Sequence, residues 1–149
     1  MSIDAQGNTQ AMRRTGWILS GLVIAFMIAD VAGTLLALEP LKRATLEIGY
    51  PLDLMWLIGA LALICVVLYA IPATCVLGAI ILTGFLGGAI TSHLRVAGTL
   101  TPEMIVSLTL GVFAWGGLWL RDPRLRVLIP RRRDPSAVSP TPPPHADRL

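Results

Sequence analysis

The 149-residue chain is 54% hydrophobic and 14% charged, with a mean hydropathy of +0.71. Soluble domains carry about 45 to 50% apolar and about 25% charged residues, which argues against a water-dissolved globule and excludes a disordered chain, since that needs low hydrophobicity and many charges. The net charge of +3 does not point to nucleic acid, because the basic residues form no groove-sized surface with stacking aromatics; a membrane protein of one domain remains.

In chain order, residues 1–14 read as a disordered lead ending in Arg13 and Arg14. An apolar run over 18–38 follows, interrupted by one charge, Asp30. It is longer than the roughly 7 to 15 residues of a signal-peptide core and has no small-x-small cleavage site, so it reads as an anchor. The next loop opens Glu39-Pro40 and closes Gly49-Tyr50-Pro51; Leu41, Ala44, Thr45 and Ile48 fall on one side, with Lys42, Arg43 and Glu47 off it. That spacing predicts a short amphipathic helix at the membrane surface. Uncharged runs over 54–71 and 75–90 are separated by a turn at Ile71-Pro72-Ala73-Thr74, which predicts an antiparallel hairpin with Thr74 as helix cap. Thr101-Pro102-Glu103 is a helix-start signal for a last run over 104–120.

Runs of about 17 to 25 apolar residues cross a hydrocarbon core, where the backbone must satisfy its own hydrogen bonds. The expected fold is therefore all-α, an integral membrane four-helix bundle over 15–130. Residues 131–149, with Pro140, Pro142, Pro143 and Pro144, read as a disordered, extended tail.

Arg13, Arg14, Arg121, Arg124, Arg126, Arg131, Arg132 and Arg133 fall on one side of the membrane, against Lys42, Arg43 and Arg95 on the other. The positive-inside rule then places both termini and the tail in the cytoplasm. Trp17, Tyr69 and Trp119 would line the inner interface, and Tyr50 and Trp56 the outer one. The six arginines from Arg121 to Arg133 also suit anchoring to anionic headgroups, at about 1 kcal/mol each.

Asp30 carries the most chemical interest. It falls about 20 Å along a helix from Trp17, at about 1.5 Å per residue. A carboxylate at that depth costs about 2.5 to 3.5 kcal/mol and should face the bundle interior or a partner. His93 or Arg95 would reach it if the third span packs beside the first. A registry-fixing pair and a proton or hydrogen-bonding site both fit. A lone His93 could donate to a quinone carbonyl, yet it equally suits a polar helix end. His145 lies in the tail, so no pair of axial haem ligands exists, and no cluster of side chains has metal-ligand spacing. Cys65 and Cys75 read as small apolar packers. Gly84, Gly87 and Gly88, with Ala25, Ala29 and Gly33 as the matching stripe, predict close packing of the third span on the first, with dimerisation as the alternative. These glycines lie in an apolar span, not in a strand-to-helix loop, and suggest no nucleotide site.

The stretches Ile80-Ile81-Leu82-Thr83-Gly84-Phe85-Leu86-Gly87-Gly88-Ala89-Ile90-Thr91-Ser92-His93-Leu94-Arg95 and Trp115-Gly116-Gly117-Leu118-Trp119-Leu120-Arg121-Asp122-Pro123-Arg124-Leu125-Arg126, with Gly49-Tyr50-Pro51 and Leu68-Tyr69-Ala70-Ile71-Pro72, resemble the DoxX-like family of small four-helix bacterial membrane proteins. The resemblance implies a multi-pass protein of the bacterial inner membrane, in a superfamily that includes a small subunit linked to quinone-dependent oxidation. Relatives often carry an acid where Ala62 stands and a base where Ala73 stands, so a role needing a carboxylate in the second span is not supported. With no complete catalytic set, the expected role is an auxiliary subunit of a redox or oxidative-stress assembly, quinone-associated through Asp30, His93 and Arg95, with a membrane or cytoplasmic protein partner. Small-solute or proton transport and a purely structural assembly role are the alternatives.

Overall fold

The computed structural model describes residues 3–123 and residue 125. Its elements are α1 (Ile3–Leu35), α2 (Glu39–Glu47), a 3₁₀ turn (Leu52–Leu54), α3 (Met55–Ala70), α4 (Cys75–Ala97) and α5 (Pro102–Arg121), with no strand among the described residues. Four segments are long and apolar enough to cross a membrane: Gln10–Leu35, Leu52–Ala70, Cys75–Ala97 and Pro102–Arg121. The all-α four-helix architecture and the surface helix α2 are as the sequence predicts.

Two helix ends differ from expectation. The lead expected to be disordered is helical from Ile3: lengthening an existing helix carries no nucleation cost, and the residues from Gln10 to Arg14 have good helix propensity. α4 continues past residue 90 to Ala97, where Gly98 takes a left-handed φ of 63° and stops it. The polar residues in that extension do not break the helix, because the Thr91 and Ser92 hydroxyls donate back to the carbonyls of Gly87 and Gly88, both at 2.9 Å. Arg124, Arg126, Arg131, Arg132, Arg133 and the proline-rich tail lie outside the described residues.

The bundle is a square. α1 packs on α3 and α5, and α4 packs on α3 and α5, so α1 and α4 face each other across the diagonal. The expectation that the third span lies beside the first is therefore corrected. Val23, Met27, Cys65, Tyr69, Leu82 and Leu118 fill the centre, while Leu36, Trp56, Ile80 and Leu108 point outward. Such an apolar surface suits lipid contact and not water.

Close approach is achieved by small residues, though not the expected ones. A Cβ built on Gly78 would collide with the backbone of Leu68 and Tyr69, so α4 can enter the hairpin with α3 only with glycine there. At the α1–α5 contact, a Cβ on Gly16 would lie 2.7 Å from the Arg121 nitrogen, and one on Gly117 would lie 2.6 Å from Ser20 Oγ. By contrast, Cβ atoms built on Gly84, Gly87 and Gly88 meet nothing within 4 Å. Ala25 and Ala29 are exposed, and Gly33 is buried beneath Leu41 of α2, 3.3 Å from its built Cβ. Apart from Gly33, which packs against α2, the stripes read from sequence lie on outward faces; in helices apolar all round, spacing alone does not say which stripe turns inward.

Gly78→Ala should destabilise the bundle by about 1–3 kcal/mol through overpacking against backbone, whereas Gly88→Ala should leave stability unchanged. Thermal unfolding of both variants in the same detergent checks this; equal effects would contradict the packing described.

Candidate functional site

The end of the bundle that carries α2 is hollow. Phe26, Met27 and Asp30 share one face of α1 by their spacing of three and four; Phe85, Ala89 and His93 do so on α4, and Glu103, Ser107 and Leu110 on α5. These faces line a half-open cavity of about 370 Å³, with Ala44 of α2 also in its wall. Asp30 and His93 are half-buried there, and Asp30 has no hydrogen bond or ion pair to any described residue. The sequence-predicted pair is thus brought to one chamber although its helices are diagonal. Glu103, read from sequence only as a helix-start residue, and Ser107, not singled out at all, complete the polar lining. The signal that could have found Glu103 is depth, since it begins α5 at the same end of the bundle where His93 nears the end of α4.

Arg95 does not join this group. It donates from Nη2 to the carbonyl of Ile48 at 3.0 Å, just past the end of α2. Tyr50 and Ser92 hydroxyls hydrogen-bond at 3.2 Å alongside it. Between these two attachments Gly49 adopts φ 82°, a left-handed conformation that glycine tolerates without strain. Arg95 and Ser92 thereby strap the surface segment to α4, and of the two candidate partners for Asp30 read from sequence, Arg95 is engaged in this strap instead. The charges of α2 face away, with Lys42 and Glu39 paired at 2.9 Å.

The opposite end is closed by hydrogen bonds. The Tyr69 hydroxyl donates to the Ala114 carbonyl at 2.9 Å and hydrogen-bonds Ser20 Oγ at 3.0 Å, tying α3 to α5 and α1. Tyr69 is fully buried, which corrects its expected place in an interfacial belt; Trp17, Trp56 and Trp119 do face outward. Arg121, expected only to anchor headgroups, lies over the rings of Trp17 at 4.8 Å and Tyr69 at 5.4 Å and donates to the Tyr69 carbonyl at 3.4 Å. Cys65 and Cys75 are buried and free. Thr74 does not cap α4 with its side chain but donates to the Leu68 carbonyl at 2.9 Å. Thr101 occupies the cap position of α5 with Pro102 after it, though its hydroxyl makes no capping bond.

Chemically, the chamber combines carboxylates, an imidazole and a hydroxyl with the aromatic walls Phe26 and Phe85. That set can hold a polar head by hydrogen bonds. It supplies no activated nucleophile, and among the described residues no three histidine, cysteine or carboxylate side chains are placed so that they could hold a metal ion together.

Four apolar helices, of which α1, α4 and α5 line a chamber with polar groups, define a small multi-pass membrane protein. The profile of the DoxX-like family matches residues 18–117, and the chain belongs to that family. Comparison with curated proteins and with solved structures returned no match.

Arg95→Ala should release the strap. Amide exchange over residues 39–50 should quicken about three- to tenfold, the loss of one charge-assisted hydrogen bond at a partly wet site, while exchange in α3 stays unchanged. Hydrogen–deuterium exchange in detergent measures both regions at once.

Proposed function

We propose that the protein is an auxiliary membrane subunit of a redox or oxidative-stress-related assembly, without catalysis of its own, that holds the head of a quinone beside Asp30 and His93. One observation carries this reading: the chamber is continuous in its lining with an apolar groove. A second cavity of about 470 Å³ between α1 and α5, lined by Leu22, Ala25, Ile105 and Phe113, shares Phe26, Val106 and Leu110 with the chamber. A polar recess that shares a wall with a lipid-side groove suits a molecule with a polar ring and a long apolar tail. Both cavities fall within the roughly 300 to 1,000 Å³ typical of small-molecule sites. His93 and Ser107 can donate to a ring oxygen, and the two phenylalanines can lie against the ring.

Transport is less well supported. A solute path needs polar groups from end to end, and beyond the chamber Val23, Leu82, Ala114 and Leu118 fill the core. The quinone association rests on the chamber's shape together with the family resemblance. The partner in this proposal is a membrane or cytoplasmic protein that performs the chemistry.

The same proposal sets the chain in the bacterial inner membrane with both termini cytoplasmic, on the excess of arginine at the terminal end. A single cysteine replacing Glu47, in a background lacking Cys65 and Cys75, should then react with an impermeant maleimide added to intact spheroplasts. Reaction only after lysis would invert the orientation.

Purified protein in nanodiscs should bind a decyl-substituted benzoquinone, and His93→Ala, which removes a donor to the ring oxygen, should weaken that binding about tenfold, or about 1.4 kcal/mol. Cys65→Ser should leave it unchanged. Binding of neither this quinone nor its reduced form, or binding indifferent to His93→Ala, would remove the quinone reading.

A further inference from the structure

The hydrogen-bonding character of the chamber is lopsided. Glu103 stands in the first turn of α5 directly after Pro102, where the helix dipole favours its ionised form, and an ionised carboxylate only accepts. Asp30 keeps an acceptor oxygen whether ionised or not, and no described residue takes it up. His93 and Ser107 can act either way. Against these, the chamber lining contains no lysine, arginine, tryptophan or side-chain amide. The cation nearest in sequence to His93, Arg95, is committed to the Ile48 carbonyl, and the indole of Trp115 donates instead to Thr83 Oγ1 at 2.9 Å. Acceptors therefore outnumber obligate donors around the polar head.

We infer that the chamber selects the reduced, dihydroxy form of its ligand over the oxidised dicarbonyl form, a step that rests on the quinone reading above. A hydroquinone ring presents two O–H donors, which Asp30 and Glu103 can accept. A benzoquinone ring presents only acceptor oxygens; His93 and Ser107 can satisfy one end, and the other end faces carboxylate lone pairs. Sites built to receive a hydroxyl discriminate strongly against analogues lacking one, because their own polar groups are left unpaired. Here Glu103 is exposed and Asp30 half-buried, so water relieves part of that penalty, and the discrimination expected is about tenfold.

The full chain in nanodiscs of zwitterionic lipid is titrated anaerobically with a fully ring-substituted decyl benzoquinone and, separately, with its hydroquinone, following tryptophan fluorescence. Full substitution of the ring prevents addition of Cys65 or Cys75. The hydroquinone should bind about tenfold more tightly. Glu103→Gln, at an exposed position, and Asp30→Asn should each narrow the preference to about threefold or less, since an amide N–H can meet a carbonyl oxygen. Should Asp30→Asn fail to fold, Glu103→Gln carries the test. Equal affinity for the two forms, tighter binding of the benzoquinone, or a preference untouched by Glu103→Gln would overturn the selectivity while leaving the quinone reading in place. Binding of neither form would remove that reading itself.

Discussion

Between two helices in hydrocarbon, hiding leucine from the surroundings gains nothing, because the lipid tails are as apolar as leucine itself. What holds such helices together is contact at short range, and that requires positions where one backbone can touch another. Gly78 against Leu68 and Tyr69, and Gly16 against Gly117 and Arg121, supply this in the present bundle. The rest of the architecture follows: α3 and α4 close as a hairpin, α1 and α5 close at the terminal end, and the chamber lies at the opposite end from both contacts.

The number, length and type of the membrane helices were legible in the sequence because lipid tolerates so few backbone solutions. The amphipathic helix α2 was legible for a different reason, its charges being confined to one side between Pro40 and Gly49. Helix adjacency was not legible. Gly84, Gly87 and Gly88 have the spacing of a packing motif and face outward, while the glycines at the closest backbone contacts, Gly16, Gly78 and Gly117, form no repeated pattern along any one helix. Tyr69 was misplaced for a related reason: a tyrosine near a span end resembles an interfacial residue until a carbonyl and a serine are found at its hydroxyl.

The chamber was half legible. A carboxylate deep in an apolar run announces itself through its cost, and Asp30 and His93 do line one cavity. Arg95 looked equally suitable but reaches the α2 loop, which no pattern of charge along the chain reveals. Glu103 was hidden in plain view, because its position after Pro102 already had a sufficient explanation in helix initiation. One residue can start a helix and line a cavity at the same time, and only tertiary placement distinguishes the second duty from the first.

The polar tie of Tyr69 to Ser20 and Ala114 lies at the opposite end from the hollow. A tilt of α1 or α5 about that tie would widen the hollow without breaking a buried tyrosine contact, whereas α4 is held at the hollow end by the Arg95 and Ser92 strap.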